Sequence, residues 1–336
     1  MYEKFYRFSG IPFQLTPDSR FFFGSSGHSR AIAHLVYGLA QEEGFIVITG
    51  EVGAGKTTLV EHLWSQLDRN SYVMARIVTT QVSGDDLLRL VMANFGLADT
   101  PGLDKATLLR RFEFMVQEQR RAGRRCVLVV DEVQNLPLSA LEELRMLSNI
   151  TVDGRASVQT ILLGQPQFRP ILASRDAEQL RQRVLASYHL GPLSEAETRA
   201  YIEHRLKTVR WEGDPHWDDA AYAQVYRQSG GIPRRINTLC SRVLLYGALE
   251  ETHEITGAMV ESTAGELNQD LGNGGLSVAS LAGMGGMAGM GGSNGGGAGI
   301  DALSRRVEAL EAGAARQERV FRRLLDLIGA VSENGR

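Results

Sequence analysis

The sequence predicts an α/β fold with a mainly parallel sheet, and three observations carry that expectation. Short, nearly continuous apolar runs recur at FIVITG (Phe45 to Gly50), YVMARIV (Tyr72 to Val78), CVLVV (Cys126 to Val130) and VQTILL (Val158 to Leu163). Runs of this kind mark strands covered on both faces. Segments of helical periodicity lie between them, and the alternation is that of strands joined by helical crossovers. A glycine-rich turn follows the first run and leads into a helix, Thr57 to Leu67, which completes one strand, turn and helix unit.

Each part of the chain has its own signature. Residues 1–28 contain FSGIPFQLTPD and RFFFG, an aromatic lead-in expected to pack on the core that follows. The α/β domain is placed at 29–191, and it opens on a helix from Ser29 to Gln41. There Ile32, Leu35, Val36 and Leu39 recur at steps of three and four, which marks one buried face. After GPLSEAET, a serine cap with acidic residues in the first turn, no strand-like run is read up to Glu261. Residues 192–265 are therefore expected to form a small all-helical domain. Residues 266–300 are read as a flexible Gly/Met-rich linker. In 301–331, Leu303, Val307, Leu310, Ala314, Gln317, Phe321, Leu324 and Ile328 fall on the a/d steps of a coiled coil. Ala314 and Gln317 weaken that seam, so an amphipathic helix docked on its own body is the competing reading.

Composition narrows the function classes. An apolar content of 43% with 22% charged residues is that of a globular protein, and a net charge of −3 gives no general attraction to nucleic acid or to an anionic membrane. Cys126 and Cys240 lie far apart in apolar stretches without metal-ligand spacing, so they read as small buried hydrophobes in a reducing cytoplasm. The opening MYEKFYRFSG is aromatic and mixed in charge, unlike an export leader. Leu271 to Ile300 lacks charge, but its commonest residue is glycine, which costs about 1 kcal/mol per residue in a helix. A linker is expected there, not a transmembrane segment. The localisation that follows is cytoplasmic, at the inner face of the membrane through partners.

The chemistry-bearing motif is GEVGAGKT, which fits G-x-x-x-x-G-K-[ST] after a buried strand and before a helix. Gly50, Glu51, Val52, Gly53, Ala54, Gly55, Lys56, Thr57 and Thr58 are expected to cradle the phosphates of ATP with backbone N–H groups and the helix N-terminus. Lys56 reaches the β and γ phosphates, and the Thr57 hydroxyl is a ligand for Mg²⁺. CVLVVDE then delivers Asp131 for the metal and Glu132 to orient the attacking water. Gln165, just past the VQTILLG run, is the candidate to sense the γ-phosphate or to position the water, against the plainer role of a loop amide bonded to backbone. Arg181, Arg183 and Arg234 could stabilise charge on the transferred phosphoryl group, against the plainer role of surface ion pairs. The arginine run Arg110, Arg111, Arg120, Arg121, Arg124 and Arg125 is read as a solvated helix face before it is read as a nucleic-acid site.

With these residues in place, the sequence resembles the AAA+ ATPases associated with bacterial secretion, the GspA/ExeA group, and most nearly the ATPase of exosortase/PEP-CTERM loci. FSGIPFQLTPD, RFFFGSSGH, GFIVITGEVGAGKTTLV, LVVDEVQNLP, LEELRMLSN, LLGQPQF, LRQRV, YHLGPLSEAETRAYIEHRL and SGGIPRRINTLC carry the resemblance over roughly the first 265 residues. It implies Walker A at Lys56 and Thr57, Walker B at Asp131 and Glu132, and sensor 1 at Gln165. It also implies an arginine finger at Arg183 and sensor 2 at Arg234, with Arg181 and Arg235 as alternates. The family's DEAQ stands here as DEVQ, with Val133 in a packing position. The resemblance implies a homo-oligomeric ring or filament that turns ATP hydrolysis into remodelling of a partner protein in secretion or surface assembly. A DNA-associated regulator of the initiator or transposition type is the alternative, and nucleic-acid binding is the less favoured expectation.

Overall fold

The computed structural model describes residues 2–272 except 17, 79–82, 98–101, 153 and 157. Residues Met1–Leu267 form one compact unit. In chain order the elements begin with α1 (Tyr2–Phe5), α2 (Ser26–Gln41), β1 (Phe45–Gly50), α3 (Lys56–Gln66), β2 (Tyr72–Val78), α4 (Gly84–Asn94) and α5 (Lys105–Arg121). There follow β3 (Arg125–Asp131), α6 (Leu138–Leu147), the two-residue strands β4 (Thr151–Val152) and β5 (Arg155–Ala156), β6 (Val158–Gly164), α7 (Phe168–Ala173) and α8 (Glu178–Arg181). The series closes with β7 (Val184–Leu190), α9 (Glu195–Thr208), β8 (His216–Trp217), α10 (Asp219–Ser229), α11 (Pro233–Leu249), β9 (Glu254–Ile255) and α12 (Gly257–Gly272).

Five parallel strands form the main sheet in the order β2-β3-β6-β1-β7. All four apolar runs are strands, and β1, β3 and β6 are buried almost throughout, as continuous Val, Ile and Leu require when helices cover both faces. One face packs Phe45, Val47, Leu128, Val130 and Leu162 against α4, α5 and α6; the other packs Ile46, Ile48, Val127, Val129 and Ile161 with residues of α2 and α3. Val133 is fully buried in the first of these cores, which fits a packing role. Both cysteines are buried and free.

The register fixes the site. Thr49 pairs with Gly164, and Gly50 with Leu190, while Val130 pairs with Leu162. The C-terminal ends of β1, β6 and β3 therefore stand side by side. With strands about 4.8 Å apart, β1 and β3 deliver their following residues about 10 Å from each other, with β6 between them.

Five expectations need correcting. Strand β7 was not foreseen: its residues alternate in burial along the open edge of the sheet, so VLASYHL has no continuous apolar signal. The lead-in does not pack mainly on the α/β core. Tyr2, Tyr6, Phe8, Phe13 and Phe21 share one core with Tyr201, Ile202, Leu239 and Val243 of the helical part. That part is not all helix, because His216 and Trp217 pair in parallel with Glu254 and Ile255. Helix α12 runs on to Gly272, into the segment 266–300 expected as linker. The rest of that segment, and the helix expected over 301–331, lie outside the described residues. Helix α2 also starts earlier than expected, at Ser26, where Ser25 caps it by accepting from the His28 N–H.

The foreseen serine cap is present and does more than cap. Ser194 and Glu197 form a capping box on α9, and Glu197 Oε1 also accepts from Ser26 N at 2.9 Å. One carboxylate thus serves the N-termini of α9 and α2, tying the helical part to the α/β part. These amide donors hold its pKa down at about 2.

Candidate nucleotide site

The loop after β1 turns sharply through Gly53 at φ +81 and Gly55 at φ +98, left-handed conformations that cost a side chain dearly. Space is short as well: a methyl group at Gly53 would collide with Arg234, and one at Gly55 would come within 2.9 Å of His28 Nε2. The loop ends in Lys56, the first residue of α3, so its amides and the helix N-terminus face the same cleft.

Lys56 is buried, and Nζ donates to the carbonyls of Gly50 at 2.8 Å and Glu51 at 3.0 Å. Burial lowers its pKa, while Glu132, Asp131 and Glu51 act the other way. Thr57 Oγ1 donates to Asp131 Oδ2 at 2.7 Å, across the gap between β1 and β3. Asp131 is buried at the end of β3, and its Oδ1 accepts from Glu132 N at 3.0 Å. A hydroxyl and a carboxylate side by side are hard oxygen donors of the kind Mg²⁺ takes. Among the described residues no group of three or more His, Cys, Asp or Glu could hold a metal. As oxygen donors, Thr57 and Asp131 fit an ion that completes its shell with water and substrate phosphate.

Glu132 has φ 54, an uncommon conformation for a residue with a side chain. Its carboxylate is held in place: Oε2 accepts from Gln134 Nε2 at 2.6 Å and from Gln165 Nε2 at 2.8 Å. Gln134 Oε1 in turn accepts from Gln165 N at 2.9 Å, which closes a ring from β3 to the loop after β6. Gln165 thus stands beside Glu132, where its position after VQTILLG suggested. The role of Gln134 was not foreseen; its signal is its place two residues beyond Glu132 in DEVQ.

Arg234 follows Pro233 at the start of α11, and its N–H donates to Gly53 O at 3.2 Å. It lines the cleft with Lys56, Thr57 and Glu132, whereas Arg235 is not among the lining residues. Arg183 lies elsewhere. It precedes β7 at the end where Phe45 pairs with Val184, six residues from the Gly50 and Leu190 end, or about 20 Å along the strand. Arg183 Nη1 donates to Ser148 Oγ at 3.4 Å, and Arg181 Nη1 to Ala173 O at 3.0 Å. Neither arginine reaches the cleft of its own chain.

The cleft has a volume of about 350 Å³, and besides the glycine turn it is lined by Thr16, Phe21 and Phe22 of the lead-in and by Tyr201 and Asn237 of the helical part. Arg205 staples the lead-in to α9, donating to Pro12 O and to Tyr201 Oη, each at 2.7 Å, with its guanidinium 4.7 Å from the Phe21 ring centre. Apart from the adjacency of RFFFG and SSGH, nothing in the sequence marked these residues as cleft wall.

His28 lies buried beneath the loop. The Ser25 hydroxyl accepts from His28 N at 3.2 Å and meets Nδ1 at 2.7 Å, while the ring also bonds to the backbone of Ala54. Burial takes its pKa from the ordinary 6.5 down to about 4. The unfolded chain therefore binds a proton there that the folded chain refuses, so stability falls as pH drops from 6.5 towards 4. Between pH 7 and pH 5 the native chain should lose about 2 kcal/mol more than a His28→Gln variant. Chemical denaturation at the two pH values checks this; equal losses would show that His28 does not titrate in that window.

Residues 39–172 match the family model described as an AAA domain. The chain is 36% identical over 268 residues to General secretion pathway protein A of Aeromonas hydrophila, covering 80% of this chain. It spans about half (49%) of that relative's length. Among solved structures, Cdc6p from Pyrobaculum aerophilum aligns with a TM-score of 0.58 at 15% identity, over 75% of this chain and 68% of that one. The ORC2 protein of Aeropyrum pernix in its ADP form aligns at 0.56 with 16% identity, over 86% and 80%. This is the P-loop AAA+ fold. At these identities the solved structures speak for the fold alone.

Proposed function

We propose that this AAA+ chain binds ATP with Mg²⁺ at the cleft and hydrolyses it to ADP and phosphate. The observation that carries the reading is the meeting of Lys56, Thr57, Asp131 and Glu132 past the C-terminal ends of β1 and β3, on either side of β6, beside a turn whose conformation calls for glycine at 53 and 55. Lys56 and the loop amides would hold the phosphates, Thr57 and Asp131 the metal, and Glu132 the attacking water, with Gln134 and Gln165 fixing its carboxylate. Mg²⁺, when bound, would neutralise phosphate charge as the terminal P–O bond breaks. Arg234, on a helix bonded to the loop, would report the phosphate state to the helical part.

We infer a GspA/ExeA-type role, in which hydrolysis remodels a protein partner in secretion, in exopolysaccharide assembly or in an exosortase-linked surface system. The relative from Aeromonas hydrophila supports the secretion part. Among the described residues no helix is long and apolar enough to cross a membrane. A DNA-associated role gains little from the arginine run, since Arg120 and Arg125 pair with Glu42, and Arg121 pairs with Glu118.

Because Arg183 lies far from its own cleft, its contribution to hydrolysis would come across a subunit boundary in a homo-oligomer. Phosphate release measured over a range of chain concentrations tests this. The rate per chain should rise with concentration in the native protein, and Arg183→Ala should remove that rise while nucleotide binding stays. An equal loss at low concentration, where the native chain is monomeric, would argue against a trans role.

A further inference from the structure

Beside the Thr57 and Asp131 pair stands a cation that the proposed hydrolysis does not use. Arg76 stands on β2 beside β3, and its guanidinium spans two acids. Nη1 donates to Glu61 Oε1 on α3 at 2.7 Å, and Nη2 donates to Asp131 Oδ2 at 3.2 Å. That oxygen is the one already accepting from Thr57 Oγ1, while Oδ1 is taken by the Glu132 N–H. The Asp131 side chain is 6% exposed and that of Arg76 32%, so a permanent charge from the rim of the site reaches a buried carboxylate.

We propose that Arg76 is an internal counter-cation of the metal site, which neutralises Asp131 beforehand and opposes Mg²⁺ there, so that it sets the Mg²⁺ concentration needed to hold nucleotide. The proposal rests on the nucleotide reading above. Two cations drawn to one carboxylate would repel each other, and at a largely buried carboxylate water screens that repulsion poorly. Glu61 gives Arg76 a second acid to rest on, so moving off Asp131 gives up one hydrogen bond and not both. The plain alternative is that Arg76 only orients Asp131 for the metal. It makes the opposite prediction, since losing such a partner weakens metal binding by about 10- to 100-fold.

The test uses the full chain and a fluorescent ATP analogue. Binding is first measured in EDTA, then followed as Mg²⁺ is added. Arg76→Gln, which removes the charge and keeps hydrogen-bonding groups, should lower the half-saturating Mg²⁺ concentration by about tenfold. Arg76→Lys should stay near the native value. Glu61→Gln, which takes away the second resting place, should raise it, so the proposal can be read even if Arg76→Gln folds poorly. A higher or unchanged Mg²⁺ requirement in Arg76→Gln, with analogue binding retained in EDTA, overturns this role alone. No binding by the native chain under any condition overturns the nucleotide reading, and this proposal with it.

Discussion

Lys56→Ala is expected to abolish nucleotide binding while leaving the chain folded. The Lys56 ammonium rests on the Gly50 and Glu51 carbonyls, and burial already disfavours its charge, so a phosphate group is the better partner for it. Charge-assisted hydrogen bonds contribute about 1.5 to 3 kcal/mol each, and losing two of them weakens binding by at least about 100-fold. The side chain lies at the first turn of α3, past the C-terminal end of β1. Equilibrium binding of a fluorescent nucleotide, with circular dichroism to confirm the fold, checks this. Affinity within a few-fold of native would remove Lys56 from the phosphate site.

Glu132→Gln is expected to separate binding from turnover. The substitution keeps size and an accepting oxygen, so the bonds from Gln134 and Gln165 can persist, but it removes the charge that polarises water. General-base assistance of this kind is worth about 10² to 10⁴ in rate. Nucleotide affinity should therefore remain near native while the single-turnover rate falls by about that factor. The ring closed by the two glutamines ties the Glu132 carboxylate to the residue after β6, beside a left-handed backbone at Glu132 itself. Unchanged hydrolysis by Glu132→Gln would mean that another group positions the water.

The sequence disclosed the strands whose two faces are buried, because continuous Val, Ile and Leu leave no polar periodicity to confuse them. It also disclosed the residues whose chemistry is tied to a local pattern: Lys56 and Thr57 in GEVGAGKT, and Asp131 and Glu132 at the end of CVLVVDE. What it hid depends on distant contacts. Strand β7 alternates because it is an edge, and its partner β1 lies some 140 residues earlier, as the bond between Thr49 and His189 shows. The aromatic lead-in could be read as packed, but its preference for α9 and α11 comes from Arg205 and Tyr201, which no local pattern links to Phe21. Arg76 was invisible for the same reason. An arginine inside YVMARIV has no meaning until the parallel register sets β2 beside β3 and brings its guanidinium to Asp131.

One cleft, lined by the glycine turn, Lys56 and Thr57 with Asp131 bonded behind it, is proposed to hold a nucleoside triphosphate with magnesium. Isothermal titration of the full chain with a non-hydrolysable ATP analogue in Mg²⁺ tests it most directly. Saturable heat with one analogue per chain, lost in Lys56→Ala, is the expected result. A folded native chain that gives no heat across concentrations up to the millimolar range would contradict it.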